Sequence, residues 1–423
     1  MNSFRDIMFA FFKNKSLQTI LLILLFIFME CLRSPDILIY GRFWEDEAVL
    51  FQDAWTHSDI DTIFRVYGGY LNLAANFSIW IAKTFVPLQY APFFTSIYGL
   101  IFQIIPLFLL LTASDQWLSC FKTRLLLTLL LIFVPEHVEL SMESLHTQFT
   151  LIIAIVVIIL LKAQYHQRYF KLFILVLASL SSMIAVLFVP ILGIKLLLDR
   201  QYLRLEQFFF FTVGCCIQFF VCYSPYEARS FHFSLVDFLT VLFTRNFIAP
   251  FIGIHDFSIQ YLETINQLRE TNTIPILPCI GGIIILSILI FCLYQYPKTR
   301  WTLGILFLSL LNIQFICIYG SIGPISWFYH LAWNQRYVFL TETIFVLILV
   351  FLSTTLPKKG QYFCYGLGIW LCIVGAINFF ALKQTAPSSL TWKTQVSLWK
   401  QDPNYTFYAW PGNHVWKFTI PKQ

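Results

Sequence analysis

The sequence predicts an all-α polytopic membrane protein, and three observations carry that prediction. Hydrophobic residues make up 58% of the 423-residue chain, and its mean hydropathy is +0.72. Apolar stretches recur at lengths suited to crossing a bilayer. Lysine and arginine fall in short segments between alternate stretches.

A soluble chain of this length could not hide so much apolar surface, so one compact membrane domain of many helices is expected. The net charge of +6 does not point to nucleic acid, because the basic residues form no dense patch. Leu17 to Met29 is apolar but no small-residue cleavage site follows, so no cleavable signal peptide is expected. The ten cysteines lie almost entirely within apolar stretches. They read as small buried hydrophobes, not as a disulfide framework or a metal cluster.

A helix needs about 20 apolar residues to span the hydrocarbon core. About eleven spans are read, at 17–39, 88–113, 125–137, 147–162, 171–186, 187–198, 207–224, 276–295, 302–320, 338–356 and 362–382. The third, fifth and sixth are short, which implies tilting or breaks at Pro135 and Pro190. One set of segments carries Arg5, Lys13 and Lys15; Lys122 and Arg124; Lys162, Arg168 and Lys171; Lys195, Arg200 and Arg204; Lys298 and Arg300; and Lys358 and Lys359. The positive-inside rule makes these cytoplasmic. The N-terminus is then cytoplasmic, and loops 40–87, 225–275 and 321–337 and the tail 383–423 face outside. Residues 1–382 form the membrane domain. The cytoplasmic loops carry no Gly-rich phosphate cradle, so a nucleotide-driven machine is not expected. An enzyme on the outer face would need an activated substrate already in the membrane.

The outer segments hold the candidate chemistry. Glu45, Asp46 and Glu47 open a short amphipathic helix running to Trp55, and a second helix begins near Asp59. Acidic residues in a first turn complement the helix dipole, and the same helix N-terminus favours an ionised Asp46, the form a general base requires. Tyr67-Gly68-Gly69-Tyr70 combines close backbone approach with aromatic rings suited to sugars; it also fits an interfacial turn with belt aromatics. Glu136, Glu139, Glu143 and His146 are spaced three, four and three apart. On a helix they form one stripe, read as a cavity wall or acceptor site. No H-E-x-x-H is present, and metal binding is not predicted. Arg245 and Arg336 are guanidinium groups suited to a lipid phosphate, or to anchoring on lipid headgroups. In the tail, 406–410 and 415–420 read as strands joined by Pro411-Gly412-Asn413-His414, a small cap.

At these residues the chain resembles the GT-C glycosyltransferases, polytopic enzymes that move a sugar from a polyprenyl-phosphate carrier. More closely it is similar to bacterial serotype-converting O-antigen glucosyltransferases. The resemblance rests on Glu45-Asp46, followed by Tyr67-Gly68-Gly69-Tyr70, on Gln335-Arg336-Tyr337 entering a late span, and on the Pro-Gly turn in the tail. Glu47 stands where related sequences carry glycine, and Asn76 where they often carry a basic residue, so Asn76 is given no phosphate role. The resemblance implies a bacterial inner-membrane enzyme with a periplasmic active site. Its donor would be undecaprenyl-phosphate glucose, its acceptor lipopolysaccharide O-antigen, and its outcome inversion without a cofactor. Asp46 would be the base, with Glu45 and Glu47 beside it, and Arg336 and Arg245 would hold the donor phosphate. Tyr67, Tyr70, Glu136, Glu139, Glu143, His146 and Trp410 would bind acceptor or sugar. Two other readings compete. An O-antigen polymerase or ligase would rely on arginine or histidine in large late loops. A transporter or lipid flippase would place ionisable residues near the midplane, and the best candidates, Glu30 and Glu342, lie toward the outer ends of spans.

Overall fold

The computed structural model describes residues 14–41, 43–135, 137–223, 229, 231, 233–297, 299–331, 333–381, 390–409 and 416–421. Among them, eight helices are long and apolar enough to cross a membrane. They are Lys15–Arg33, Leu88–Thr112, Tyr202–Cys222, Leu235–Ile252, Ile276–Gln295, Arg300–Tyr319, Gln335–Thr355 and Lys358–Ala381. The chain is therefore an α-helical membrane protein.

The count of long helices differs from eleven for identifiable reasons. Four expected spans are short helices, Phe121–Ile132, Thr147–Leu160, Arg168–Ser179 and Val189–Asp199. Two of the breaks fall beside the prolines named above. Phe121–Ile132 stops shortly before Pro135, and Pro190 sits in the first turn of Val189–Asp199, where its missing N–H costs nothing. Thr147–Leu160 is short for another reason. All its residues are buried, against Ala91–Thr112, Arg168–Ser179, Arg300–Tyr319 and Gln335–Thr355. A helix enclosed by protein need not match the bilayer.

Leu235–Ile252 is the one long helix added to the expected spans, in a region expected to be an outer loop. It is apolar enough to span and packs against Ile276–Gln295, Arg300–Tyr319, Gln335–Thr355 and Lys358–Ala381. Asp237 near its start accepts bonds from Tyr329 and Arg269. Arg245 in its middle donates to Phe328 and His330 carbonyls. Beyond its end, Ile254 N donates to Asn378 near the close of Lys358–Ala381.

The segment holding Glu139, Glu143 and His146 is not a helix. A single 3-10 turn covers Val138–Leu140, Met142 takes φ +53°, and the next helix opens only at Thr147. Glu143 explains where that helix begins. Its two carboxylate oxygens accept from the backbone N–H groups of Leu145 at 2.8 Å and His146 at 2.7 Å, beside the helix's first turn.

The short antiparallel strands Val66–Tyr67 and Tyr70–Leu71 pair Tyr67 with Tyr70. Gly68 and Gly69 form the two-residue turn at φ +63° and +89°, a geometry that suits a hairpin and that bulkier residues resist. In the tail, Phe407–Tyr408 and Lys417–Phe418 also pair antiparallel. The expected turn between them lies outside the described residues. Trp392, Phe407 and Phe418 pack with Phe43 and Phe51 as one aromatic cluster, and Trp392 Nε1 donates to the Leu88 carbonyl at 2.7 Å. The tail is thereby fastened to the helix that begins at Glu45.

Candidate active site

Helix Glu45–Thr56 presents its three leading carboxylates to different surroundings, since successive residues turn about 100°. Asp46 is partly exposed, and its carboxylate accepts from the Tyr67 hydroxyl at 3.3 Å. Glu45, also partly exposed, accepts from the Trp416 indole of the tail. Burial lifts the Glu45 carboxyl to about 7, helped by Asp46 and Glu139 and opposed by Arg336 and Trp416.

Glu47 points inward and is buried. One oxygen accepts from Ser144 N at 3.2 Å and from Ser144 Oγ at 2.5 Å, and the other faces Trp44 N at 3.4 Å. Burial, reinforced by Glu143, holds its carboxyl above the usual range. Grouping Glu47 with the catalytic residues is corrected on this ground: it ties the first loop to the segment before Thr147 and does not face solvent.

Arg336 opens helix Gln335–Thr355 and is partly exposed. Its backbone N–H donates to Glu139 Oε2 at 3.2 Å, and its Nη1 lies 3.2 Å from His146 Nε2. Glu139 N in turn faces Gln335 Oε1 at 3.4 Å. Asp46 and Tyr70 lie close enough to act electrostatically on the guanidinium. The first loop, the 138–146 segment and the late helix therefore meet at one cluster. Tyr70 and Tyr337 also line an adjoining cavity of about 80 Å³, with Gln148, Phe149 and Arg229.

The remaining expected residues separate into groups. Tyr67, Tyr70 and Glu139 belong to the cluster. Glu143 and His146 reach it only from behind, at 3% exposure each, so direct acceptor contact is corrected to a supporting place. Glu136 and Trp410 lie outside the described residues. Arg245 is fully buried, and its guanidinium donates to the carbonyls of Phe328 at 2.8 Å, His330 at 2.9 Å and Trp333 at 3.1 Å. It stabilises that loop, and the phosphate role is withdrawn from it.

Comparison with protein-family models, curated proteins and solved structures found nothing that matches this chain.

Arg229 was missed. It donates through Nε and Nη2 to the Gly68 carbonyl, at 3.2 and 2.9 Å, and through Nη1 to that of Gly320, and it lies 5.4 Å over the Tyr70 ring. The signal for it was an arginine in the same loop as Arg245. Nothing in the residues around either one says which guanidinium is used inside the protein and which reaches the Tyr-Gly-Gly-Tyr turn.

Proposed function

We propose that this chain is an integral membrane glycosyltransferase. It moves a sugar, glucose by the resemblance, from undecaprenyl phosphate to a periplasmic glycan acceptor, the O-antigen of lipopolysaccharide. The observation that supports the reading most is that Asp46 lies near enough to Arg336 to act on its charge. A proton acceptor and a fixed cation, drawn from opposite ends of the chain, share one partly open site. In the proposed reaction the acceptor hydroxyl gives its proton to Asp46 while its oxygen bonds to the anomeric carbon from the face opposite the phosphate. The bond from that carbon to the phosphate oxygen breaks, and the lipid phosphate leaves as an anion beside Arg336. A phosphate needs no added proton to leave, so one carboxylate suffices where hydrolases use a pair. Tyr67 orients the base, and Tyr70 offers an aromatic face to the sugar.

The test is purified Asp46→Asn with a lipid-linked sugar. A folded protein with turnover lowered about 100-fold or more is expected. Turnover near the unsubstituted rate would remove Asp46 as base.

A second reading, carriage of a lipid or solute, draws on one observation. Glu30, Arg33 and His137 form a buried group inside the bundle, with Arg33 Nε 3.5 Å and His137 Nδ1 3.6 Å from Glu30 Oε1. Flipping of lipid-linked sugar in liposomes, with no transfer, would favour it.

A further inference from the structure

His146 is almost wholly enclosed, yet both ring nitrogens are engaged. Nδ1 lies 3.0 Å from Glu143 Oε2 and 2.9 Å from the Glu139 carbonyl oxygen. Nε2 lies 3.2 Å from Arg336 Nη1. A guanidinium can only donate, so that contact is a hydrogen bond only if Nε2 offers a lone pair. Both carboxylate and carbonyl can only accept, so Nδ1 must carry the proton. One neutral tautomer satisfies all three contacts at once.

We propose that His146, held by Glu143, is the positioning residue for Arg336, fixing one edge of the guanidinium so that its other N–H groups face the donor phosphate beside Asp46. This rests on Arg336 binding that phosphate. The charged and titratable groups facing the imidazole are Glu139 and Glu143 on its own segment and Arg336 on the late helix. Glu45, Asp46, Tyr70 and Tyr337 surround Arg336 in turn. Burial opposes charge on His146, but Glu143 outweighs it, so the ring takes up a proton above the ordinary 6.5. Once Nε2 is protonated it can no longer accept, and a second cation abuts Arg336.

The sign of the pH effect separates positioning from simple charge. A proton added beside an anion site strengthens anion binding by Coulomb attraction. Protonating Glu45 acts in the same direction. Weaker donor binding on acidification therefore reports the lost acceptor at Nε2.

The probe is a short-chain isoprenyl phosphohexose, a phosphodiester with no ionisation near neutrality. Binding and transfer are measured on the full chain in lipid nanodiscs from about pH 5.5 to 8.5, across the imidazole range. The donor Kd should rise about 10-fold as pH falls, the scale of one charge-assisted hydrogen bond. His146→Gln, whose amide oxygen accepts but does not titrate, should flatten that rise, while His146→Leu weakens binding at every pH. Glu143→Gln should move the rise about 1 pH unit lower. In an Arg336→Ala background the His146 substitutions should have no further effect. A rise that survives His146→Gln, or equal losses with and without Arg336, would overturn the proposal, as would a chain that does not bind the probe. If binding follows this pattern but no sugar moves, the glycosyltransferase reading fails and the positioning role stands. If transfer proceeds at a rate indifferent to His146 at every pH, the reverse holds.

Discussion

Glu45, Asp46 and Glu47 share a charge type and a helical turn, but burial divides them. Glu47 is enclosed and bonded to Ser144, Asp46 meets Tyr67, and Glu45 lies between Asp46, Glu139 and the tail. The motif was legible in the sequence as three carboxylates at a helix start. The division was not, because it depends on Ser144 and Trp416, which local pattern cannot bring near. The two arginines carry the same lesson. Arg245 and Arg336 read alike as donors beside apolar stretches, and only the carbonyls of the 325–333 loop assign one of them to structure. A pH prediction belongs at this scale. In the folded protein Glu45 keeps its proton up to about 7, whereas the unfolded chain releases it near 4.5. The folded state therefore binds more protons across that window, and the stability Glu45 contributes is lost as pH rises through it. Thermal melting of the purified protein between those pH values should show this fall, and Glu45→Gln should make the curve flatter. An unchanged slope in the variant would mean that Glu45 is not the group titrating.

Among the elements, the helix from Glu45 and the turn at Gly68-Gly69 could be read in advance, because capping acids and paired glycines are local signals. The 138–146 segment could not. Its spacing of three, four and three fits a helical stripe, but Ser141, Glu143 and Ser144 spend their polar atoms on Glu30, on the backbone and on Glu47. Such bonds compete with helix formation. The acids and the histidine still converge, through a folded loop in place of one helical face. The hairpin turn offers a direct test. Gly68 sits at φ +63°, where an L side chain costs about 1–2 kcal/mol. Gly68→Ala should lower the melting temperature, because the strained turn carries the carbonyl that anchors Arg229. Gly68→Asn should cost less, since asparagine tolerates that backbone region. Equal losses in the two variants would point to something other than backbone strain.

Across the whole molecule, buried cations recur where helices end. Arg33 donates to the Ile132 carbonyl, Arg124 to that of Leu111 at 3.0 Å, and Arg204 to those of Ile158 at 2.9 Å and Leu161. These carbonyls lack partners within their own helices, and a guanidinium satisfies them while meeting the negative end of the dipole. Arg124 and Arg204, which read from sequence as membrane-orienting charges, thus also join helices to one another. The tail serves a similar end. Trp392 packs against Phe407 and Phe418 within the tail and meets Phe43 of the first loop edge-on. Trp392→Ala should release the tail from the Glu45 helix at a local cost of about 3–5 kcal/mol. Water would then reach Glu45, and its titration should move down from about 7 toward 4.5. Faster proteolysis of the tail and that downward shift should appear together; a loosened tail with Glu45 unmoved would show that the tail does not shield it.

The enclosure of Thr147–Leu160 bears on how the protein is made. At about 1.5 Å per residue the helix is roughly 21 Å long, shorter than the roughly 30 Å hydrocarbon layer. A ribosome releases it long before Arg300–Tyr319 and Gln335–Thr355, two of the helices that enclose it. Until they emerge, this helix has neither the length to settle alone in lipid nor its full set of neighbours. Arg336 arrives with the last of them, so a chain cut short by premature termination would hold this helix without its enclosure and would lack the cation.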